Sequence, residues 1–258
     1  MKTLRFTLFS LIVFAGSWLV SSDDLSRIGL EPLLKACHDR DLECLKKSTG
    51  LFLKWTHKGH PKFNMLPIDP QNIPSLDADF SKSGLALEIG NMTVKGLRDQ
   101  DIHQFKMEVS DGTVKLTTAA KLSVDGDVRA ARNKKHHSGG RFSSSGDVLG
   151  TALYNYTLQK DNKGIDHFVI GPETISSELV GTPTIMFSPN LASALFKNHN
   201  SPKEIEEQWK EYFRKIAEKA YVPVIHNIRS AANIFPASAF FKNLHEIKAF
   251  ESHGDRHH

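Results

Sequence analysis

The chain is poor in cysteine. Only Cys37 and Cys44 occur in 258 residues, and both lie in the short segment CHDRDLEC. One disulfide is therefore the most that the chain can form within itself. Neither cysteine belongs to a C-x-x-C pair, and a zinc site would need two further ligands that the neighbouring residues do not supply. The cysteine pair could form a disulfide, part of a metal site or a redox couple, and the cellular compartment decides among these three roles.

Net charge and catalytic motifs are scarce as well. The chain has 33 Lys and Arg residues against 29 Asp and Glu residues, so no nucleic-acid partner is expected. It contains no G-x-S-x-G, H-E-x-x-H, P-loop or Rossmann glycine pattern. We therefore predict that the protein is not an enzyme and has no catalytic residue, no cofactor and no built metal site. The histidines His136, His137, His253 and His257 would bind metal only adventitiously.

A long apolar run is found only at the N-terminus. The segment MKTLRFTLFSLIVFAGSWLVSS carries Lys2 and Arg5 before an apolar run at 6–20. This run is shorter than the roughly 20 apolar residues that a membrane-spanning helix needs. We predict that residues 1–22 are a signal peptide, with an uncleaved anchor as the alternative. The remainder should be secreted and soluble, without stable insertion into a membrane.

Secretion favours a disulfide for the cysteine pair. On one continuous helix, Cα atoms seven residues apart would be separated by about 10 Å, whereas a disulfide tolerates about 7 Å. A Cys37–Cys44 bond therefore requires a loop between the two residues. A metal site or a redox couple is the weaker alternative. The sequons NMT at Asn91 and NYT at Asn155 agree with secretion and are the predicted glycosylation sites.

The middle of the chain has the hydrophobic pattern of β-strands. From 84 to 187 the dominant period is two, and turn signals separate the apolar runs. The apolar parity shifts after Gly90, which predicts a β-bulge. Two such turn signals are the pairs Asp111–Gly112 and Asp125–Gly126. The pattern predicts an antiparallel meander of about six to eight strands.

A long helix is predicted after the meander. SPKE at 201–204 is a capping box with proline at the first helical position. No stop signal occurs before Phe235, which gives about 33 residues and a length near 50 Å. Pro223 should kink the helix. One face carries the apolar stripe Ile205, Trp209, Tyr212, Phe213, Ile216 and Ala220. Because the half beyond Ala220 carries one charge, Arg229, a sheet wrapped around the helix is expected.

The order of these features resembles one known family. A cysteine pair, GHPKFNMLPIDPQNIPSL at 59–76, NMTVKGL at 91–97, a meander, a long helix with an internal proline and FPASAFF follow one another. This order resembles the insect takeout and juvenile-hormone-binding-protein family. The resemblance covers a domain at 23–250 and leaves a polar tail at 251–258. Only one disulfide can form, so the chain is similar to the takeout branch.

The resemblance implies an α+β fold. A strongly curved antiparallel sheet would wrap around one long C-terminal helix and enclose an apolar tunnel, with Cys37 and Cys44 near one end. Family members are secreted carriers of terpenoid hormones, quinone-like or fatty molecules, or odorants. The expected partner is therefore a small hydrophobic ligand, while a cell-surface receptor is left open.

The predicted ligand contacts come from the helix stripe and from two tyrosines of the meander. Apolar side chains would bury the ligand's surface, and tyrosine hydroxyls would fix its orientation. The alternative is that the stripe is ordinary core, because periodicity does not distinguish core from tunnel lining. The predicted ligand-binding residues are Trp209, Tyr212, Phe213, Ile216, Val224, Ile228, Tyr154 and Tyr156.

One segment departs from the family pattern. RAARNKKHHSGGRFSSSG at 129–146 stands where the family has an apolar strand, and its polarity predicts a flexible loop. The alternative function is a secreted interaction protein of the same fold, with a collapsed tunnel, that acts through this basic segment. Its charged residues are Arg129, Arg132, Lys134, Lys135 and Arg141.

Overall fold

The computed structural model describes residues 34–76, 85–132, 135–197 and 202–247. All of them belong to one compact unit. The predicted signal peptide at 1–22, the tail at 251–258 and the capping residue Ser201 lie outside the described residues.

The described chain begins with the cysteine pair and a short helix. Cys37 and Cys44 form the disulfide that the sequence predicts, with their Cα atoms 5.6 Å apart. The chain turns between them, and helix α1 (Leu42–Thr56) starts only two residues before Cys44. Asp41 caps this helix, because its carboxylate accepts a hydrogen bond of 3.0 Å from the backbone N–H of Cys44.

Within the described residues, six strands form one antiparallel sheet, which confirms the predicted meander. Their order in the sheet is β1-β2-β4-β5-β6, and β3 pairs with β4. Three of them have 20, 26 and 22 residues, longer than the short runs that the sequence predicts. The strands are β1 (Gln71–Leu76), β2 (Leu85–Lys95), β3 (Asp101–Glu108), β4 (Thr113–Arg132), β5 (Lys135–Lys160) and β6 (Asp166–Phe187).

The predicted bulge is present in β2, where the register against β4 shifts between Gly90 and Thr93. The turn predicted at Asp125–Gly126 is wrong, because β4 runs through both residues without a break. A Cβ atom on Gly126 would lie 2.8 Å from the ring of Phe142. This glycine therefore makes room for a neighbouring aromatic side chain and does not make a turn.

The loop predicted at 129–146 is also wrong for the residues that the structure describes. Residues 129–132 continue β4, and residues 135–146 begin β5, with Arg129 opposite Gly139. Inward-facing Ala130 and Phe142 are both 2% exposed. Burial of alternate residues on the inner face holds this polar segment as a strand.

Two more α-helices follow the sheet in the described part of the chain, α2 (Pro189–Lys197) and α3 (Pro202–Ile234). Helix α3 has the predicted 33 residues and continues through Pro223. All six stripe residues are buried, as predicted, and the helix packs against β5 and β6. The ring of Tyr221 lies so close to β5 that a Cβ atom on Gly150 would be 2.2 Å from it.

The motifs on which the resemblance rests contact each other in space. The carboxylate of Asp69, from PIDP, accepts hydrogen bonds from the backbone N–H groups of Gly96 (2.9 Å) and Arg98 (3.1 Å), at the end of NMTVKGL. The preceding loop is held on α3 by Asn227, whose side chain bonds to both the N–H (2.7 Å) and the C=O (2.8 Å) of Leu66. These bonds fix how β1 enters the sheet.

Candidate ligand-binding cavity

An apolar cavity lies between α1, strands β3 to β6 and the C-terminal end of α3. Its empty volume, the open mouth included, is about 930 Å³. Helix α1, the sheet, the C-terminal end of α3 and the segment after it all contribute lining residues. The lining residues are Leu34, Cys37, Leu45, Ser48, Thr49, Phe52, Ile102, Phe105, Met107, Val114, Leu116, Tyr154, Tyr156, Phe168, Ile170, Ile228, Ala231, Ala232, Phe240 and Phe241.

The disulfide residue Cys37 and the C-terminal segment meet at the wall of the cavity. The backbone N–H of Cys37 donates to the carbonyl of Phe240 at 2.9 Å, and the N–H of Lys242 donates to the carbonyl of Cys37 at 2.8 Å. Phe240 and Phe241 pack edge-on against Phe168, with ring centroids 6.2 and 5.6 Å apart. Through Cys37, the disulfide therefore ties the start of α1 to aromatic residues that line the cavity.

Tyr154 brings a hydroxyl group to this apolar wall. The side chain is 6% exposed, and burial raises the pKa of Tyr154 above its ordinary value, so the hydroxyl keeps its proton. Among the residues of the described ranges, none hydrogen-bonds to this hydroxyl. Tyr154 can therefore donate a hydrogen bond to an acceptor atom of a bound molecule. Tyr156 also lines the cavity, and its ring packs edge-on against Phe168.

The predicted ligand contacts divide between the cavity and the core. Tyr154, Tyr156 and Ile228 line the cavity, whereas Val224 lines a smaller neighbouring one. The other four, Trp209, Tyr212, Phe213 and Ile216, are fully buried at the N-terminal half of α3 and line neither cavity.

Trp209 shows why that half of the helix is filled. Its indole N–H donates to the hydroxyl of Ser144 at 2.9 Å, and its ring meets Phe142 edge-on at 4.9 Å. Large aromatic side chains from the sheet and the helix occupy the space there. Contact between these four residues and a ligand stays a prediction.

Sequence reasoning missed the walls supplied by α1 and by the C-terminal segment. Phe240 and Phe241 belong to the FPASAFF motif, but an apolar motif alone does not indicate whether it faces core or cavity. Phe105 and Met107 alternate in FKMEV, and this alternation predicts their inward direction only. Their position beside a cavity depends on the packing of the whole chain.

The chemistry of the cavity wall is uncharged. No charged side chain is among the described residues that line it, so an ion would be desolvated there without a charged partner. In the described part of the chain, no group of three or more His, Cys, Asp or Glu side chains is placed to hold a metal ion. No helix in the described ranges combines the length and the apolar character needed to cross a membrane.

The cavity also bears on the alternative function. That alternative required a collapsed tunnel, whereas the structure contains open apolar space beside α3. Its basic segment is part of β4 and β5, where Arg129 stands opposite Glu88 and Arg141 stands opposite Asp127 in the strand registers. Acidic residues are thus interspersed among the basic ones that the structure describes.

Comparisons with known proteins agree with this architecture. The crystal structure of Takeout 1 from Epiphyas postvittana superposes with a TM-score of 0.64 and 16% identity, covering 80% of this chain and 99% of that one. This match confirms the predicted fold. The juvenile hormone-binding protein of Manduca sexta is 37% identical over 221 residues, which are 82% of this chain and 96% of the relative. Residues 10–131 match the profile of the family described as haemolymph juvenile hormone binding protein. The chain belongs to this family.

Proposed function

We propose that the protein is a secreted carrier that holds one small, neutral, apolar molecule in the cavity between α1, the sheet and the end of α3. The observation that supports this most directly is the lining itself, which is apolar apart from hydroxyl groups and has no charged side chain among the described residues. Burial of ligand surface would supply the affinity, at roughly 25 cal/mol per Å² before ordering costs.

One feature of the wall narrows the class of ligand. The hydroxyl of Tyr154 has no partner among the described residues and stays protonated, so a ligand with an acceptor oxygen would gain a hydrogen bond there. The Manduca sexta relative is named for juvenile hormone. A terpenoid with an ester, ether or ketone oxygen is therefore the first class of molecule to test.

Extraction of the native protein tests the proposal. The chain is expressed in a secreting insect cell line, purified without denaturant and extracted with organic solvent, and the extract is analysed by mass spectrometry. We expect a neutral lipid or terpenoid in stoichiometric amount, or, if the protein is purified empty, saturable uptake of the neutral apolar dye N-phenyl-1-naphthylamine. An empty protein that does not take up the dye contradicts the carrier function.

Secretion and glycosylation belong to the same proposal. Asn91 and Asn155 are both exposed, and each lies where the register of a strand pair shifts. Exposure at these positions leaves room for a glycan at either asparagine. Mass measurement before and after enzymatic deglycosylation counts the glycans, and Asn91→Gln and Asn155→Gln assign them. Full retention of the protein inside the cells would contradict secretion.

A further inference from the structure

One stretch of the chain carries positive charge without any acidic residue. Residues 44–68 contain five lysines and two histidines, but neither Asp nor Glu. The whole chain, by contrast, has 33 Lys and Arg residues against 29 Asp and Glu residues. The stretch covers most of helix α1 and the loop that follows it. A nearly balanced protein therefore carries one locally basic surface.

The two sides of α1 differ in character. Leu45 and Phe52 line the cavity. Lys47, Leu51 and Lys54 follow one another at intervals of four and three residues, which places them together on the side of the helix that faces away from the cavity. Both lysines are exposed, and Leu51 is 49% exposed. Helix α1 thus lines the cavity with its inner side and presents lysine and leucine to solvent with its outer side.

The loop after α1 continues the outer side. Lys58 and Lys62 are exposed, and the ammonium group of Lys62 lies 5.9 Å from the centre of the Phe63 ring. Half-buried Trp55 stacks on the ring of His60, with centroids 5.1 Å apart. Lysine and tryptophan both favour the interface between water and a lipid bilayer. We define the basic surface of α1 as Lys47, Leu51, Lys54, Lys58 and Lys62.

The charge of this surface is little compensated. Among the described residues, none forms an ion pair with any of its four lysines. Strand β3 and the 3-10 turn at 97–99 pack against α1, and they carry three acidic residues. Asp99 pairs with Arg98, and Glu108 pairs with Lys106. Asp101 is then left to offset four lysines, so the surface stays positive and attracts an anionic partner.

We propose that the basic surface of α1 docks the protein peripherally on an anionic lipid bilayer. The lysines attract the anionic headgroups, and the side chain of Leu51 enters the interfacial region. An exposed leucine among the lysines favours a bilayer over an anionic polysaccharide, which offers no apolar contact. Docking would bring the cavity within about one helix diameter, roughly 10 Å, of the lipid. The inference goes beyond the carrier function and does not depend on the identity of the cargo.

Co-sedimentation with lipid vesicles tests the docking. The secreted protein is mixed with vesicles of phosphatidylcholine alone or with vesicles that also contain about 30% phosphatidylserine. We expect binding to the second kind only, and we expect salt to weaken it steeply. The triple variant Lys47→Gln, Lys54→Gln, Lys58→Gln should weaken this binding about 100-fold, at about fivefold per lysine. Leu51→Ser should weaken it about threefold.

A matched triple variant removes the same charge from other surfaces. Lys121→Gln, Lys160→Gln, Lys203→Gln replaces exposed lysines on β4, β5 and α3 and should weaken vesicle binding less than about threefold. Equal losses in the two triple variants would overturn the proposal, and so would equal binding to both kinds of vesicle. A loss of affinity for immobilised heparin, with vesicle binding unchanged, would assign the surface to a polysaccharide and overturn docking on lipid.

Two further measurements separate docking from folding and from the carrier function. Thermal unfolding, and uptake of N-phenyl-1-naphthylamine in the absence of vesicles, should be the same in both triple variants as in the unmodified protein, because the replaced side chains are exposed and do not line the cavity. Vesicle binding by a protein that takes up no dye would contradict the carrier function and support docking.

Discussion

Tyr154 brings one hydroxyl to a wall that is otherwise mostly apolar, and its replacement tests what that group does. We predict that Tyr154→Phe weakens binding of an apolar ester about five- to tenfold, because one hydrogen bond is lost. Binding of a hydrocarbon of the same length should be unchanged. Dye displacement measures both affinities. Equal losses for the two ligands would mean that the hydroxyl has no role in recognition.

The buried phenols predict a loss of stability at alkaline pH. Burial raises the pKa of Tyr154 above the ordinary value of 10.0, and burial likewise raises the pKa of Tyr221. The folded protein therefore keeps both protons where the unfolded chain releases them. The free energy of unfolding should be unaffected by these groups below about pH 10 and should fall as the pH rises above it.

Urea denaturation at about pH 8 and about pH 11 measures this effect, and Tyr154→Phe measures the contribution of one of the two groups. The fall in the free energy of unfolding between the two pH values should be smaller in the variant, since one buried phenol with a raised pKa is gone. A fall of the same size would assign the alkaline instability to other groups.

Asn227 shows what a single buried amide contributes. It is fully buried and bonds both backbone groups of Leu66. We predict that Asn227→Leu lowers the free energy of unfolding by about 2–4 kcal/mol, because two main-chain groups lose their partners. Urea denaturation measures the loss. Asn233→Leu, on the exposed side of the same helix, is the control and should change stability by less than about 0.5 kcal/mol.

Periodicity predicted which residues of α3 are buried, but not which of them face a cavity. Trp209 and Ile228 belong to one helical pattern, yet only Ile228 lines the larger cavity. The difference arises from Phe142, a strand residue that fills the space beside Trp209. Whether the space beside a helix residue is filled depends on side chains from distant parts of the chain. The spacing of apolar residues within the helix therefore cannot predict it.

At the scale of elements, two glycines predict opposite results for the same substitution. In β5, a Cβ atom on Gly150 would lie 2.2 Å from the ring of Tyr221, whereas a Cβ on Gly50 in α1 would meet nothing within 4 Å. We predict that Gly150→Ala lowers the free energy of unfolding by about 1–3 kcal/mol through overpacking. Gly50→Ala should raise it by about 0.5–1 kcal/mol through helix propensity. Chemical denaturation of both variants checks the signs, and a gain in Gly150→Ala would contradict the close packing of α3 on the sheet.

The two Asp-Gly pairs show what a local signal predicts and what it does not. Asp111–Gly112 lies in the turn between β3 and β4, where Gly112 has a φ of 59°. Asp125–Gly126 has the same composition but lies inside β4, which pairs with strands on both sides. The hydrogen bonds of β4 to both neighbouring strands, and the packing of the Phe142 ring against Gly126, outweigh the local preference for a turn. Helix α3, with its predicted length and its buried apolar stripe, was the element that the sequence predicted best.

At the scale of the whole molecule, backbone hydrogen bonds of the disulfide residue Cys37 join the beginning of the fold to its end. Cys37 bonds to Phe240 and Lys242, which lie about 200 residues later in the chain. We predict that the double variant Cys37→Ser, Cys44→Ser loses about 2 kcal/mol of stability, because the closed loop is short. Ligand dissociation should accelerate, since Cys37 holds the segment that places Phe240 and Phe241 in the cavity wall. Stopped-flow release of the dye measures the rate, and an unchanged rate in a folded variant would contradict this role of the disulfide.

The filled half of the molecule has an optical consequence. Trp18 belongs to the predicted signal peptide, so after cleavage only Trp55 and Trp209 absorb and emit as indoles. Trp209 is fully buried among aromatic rings, and neither tryptophan lines the larger cavity. Ultraviolet emission should therefore be blue-shifted and should scarcely change when a colourless ligand is bound. The same emission should shift to longer wavelength when the core between α3 and the sheet unfolds. Intrinsic tryptophan fluorescence should therefore report unfolding without interference from ligand binding.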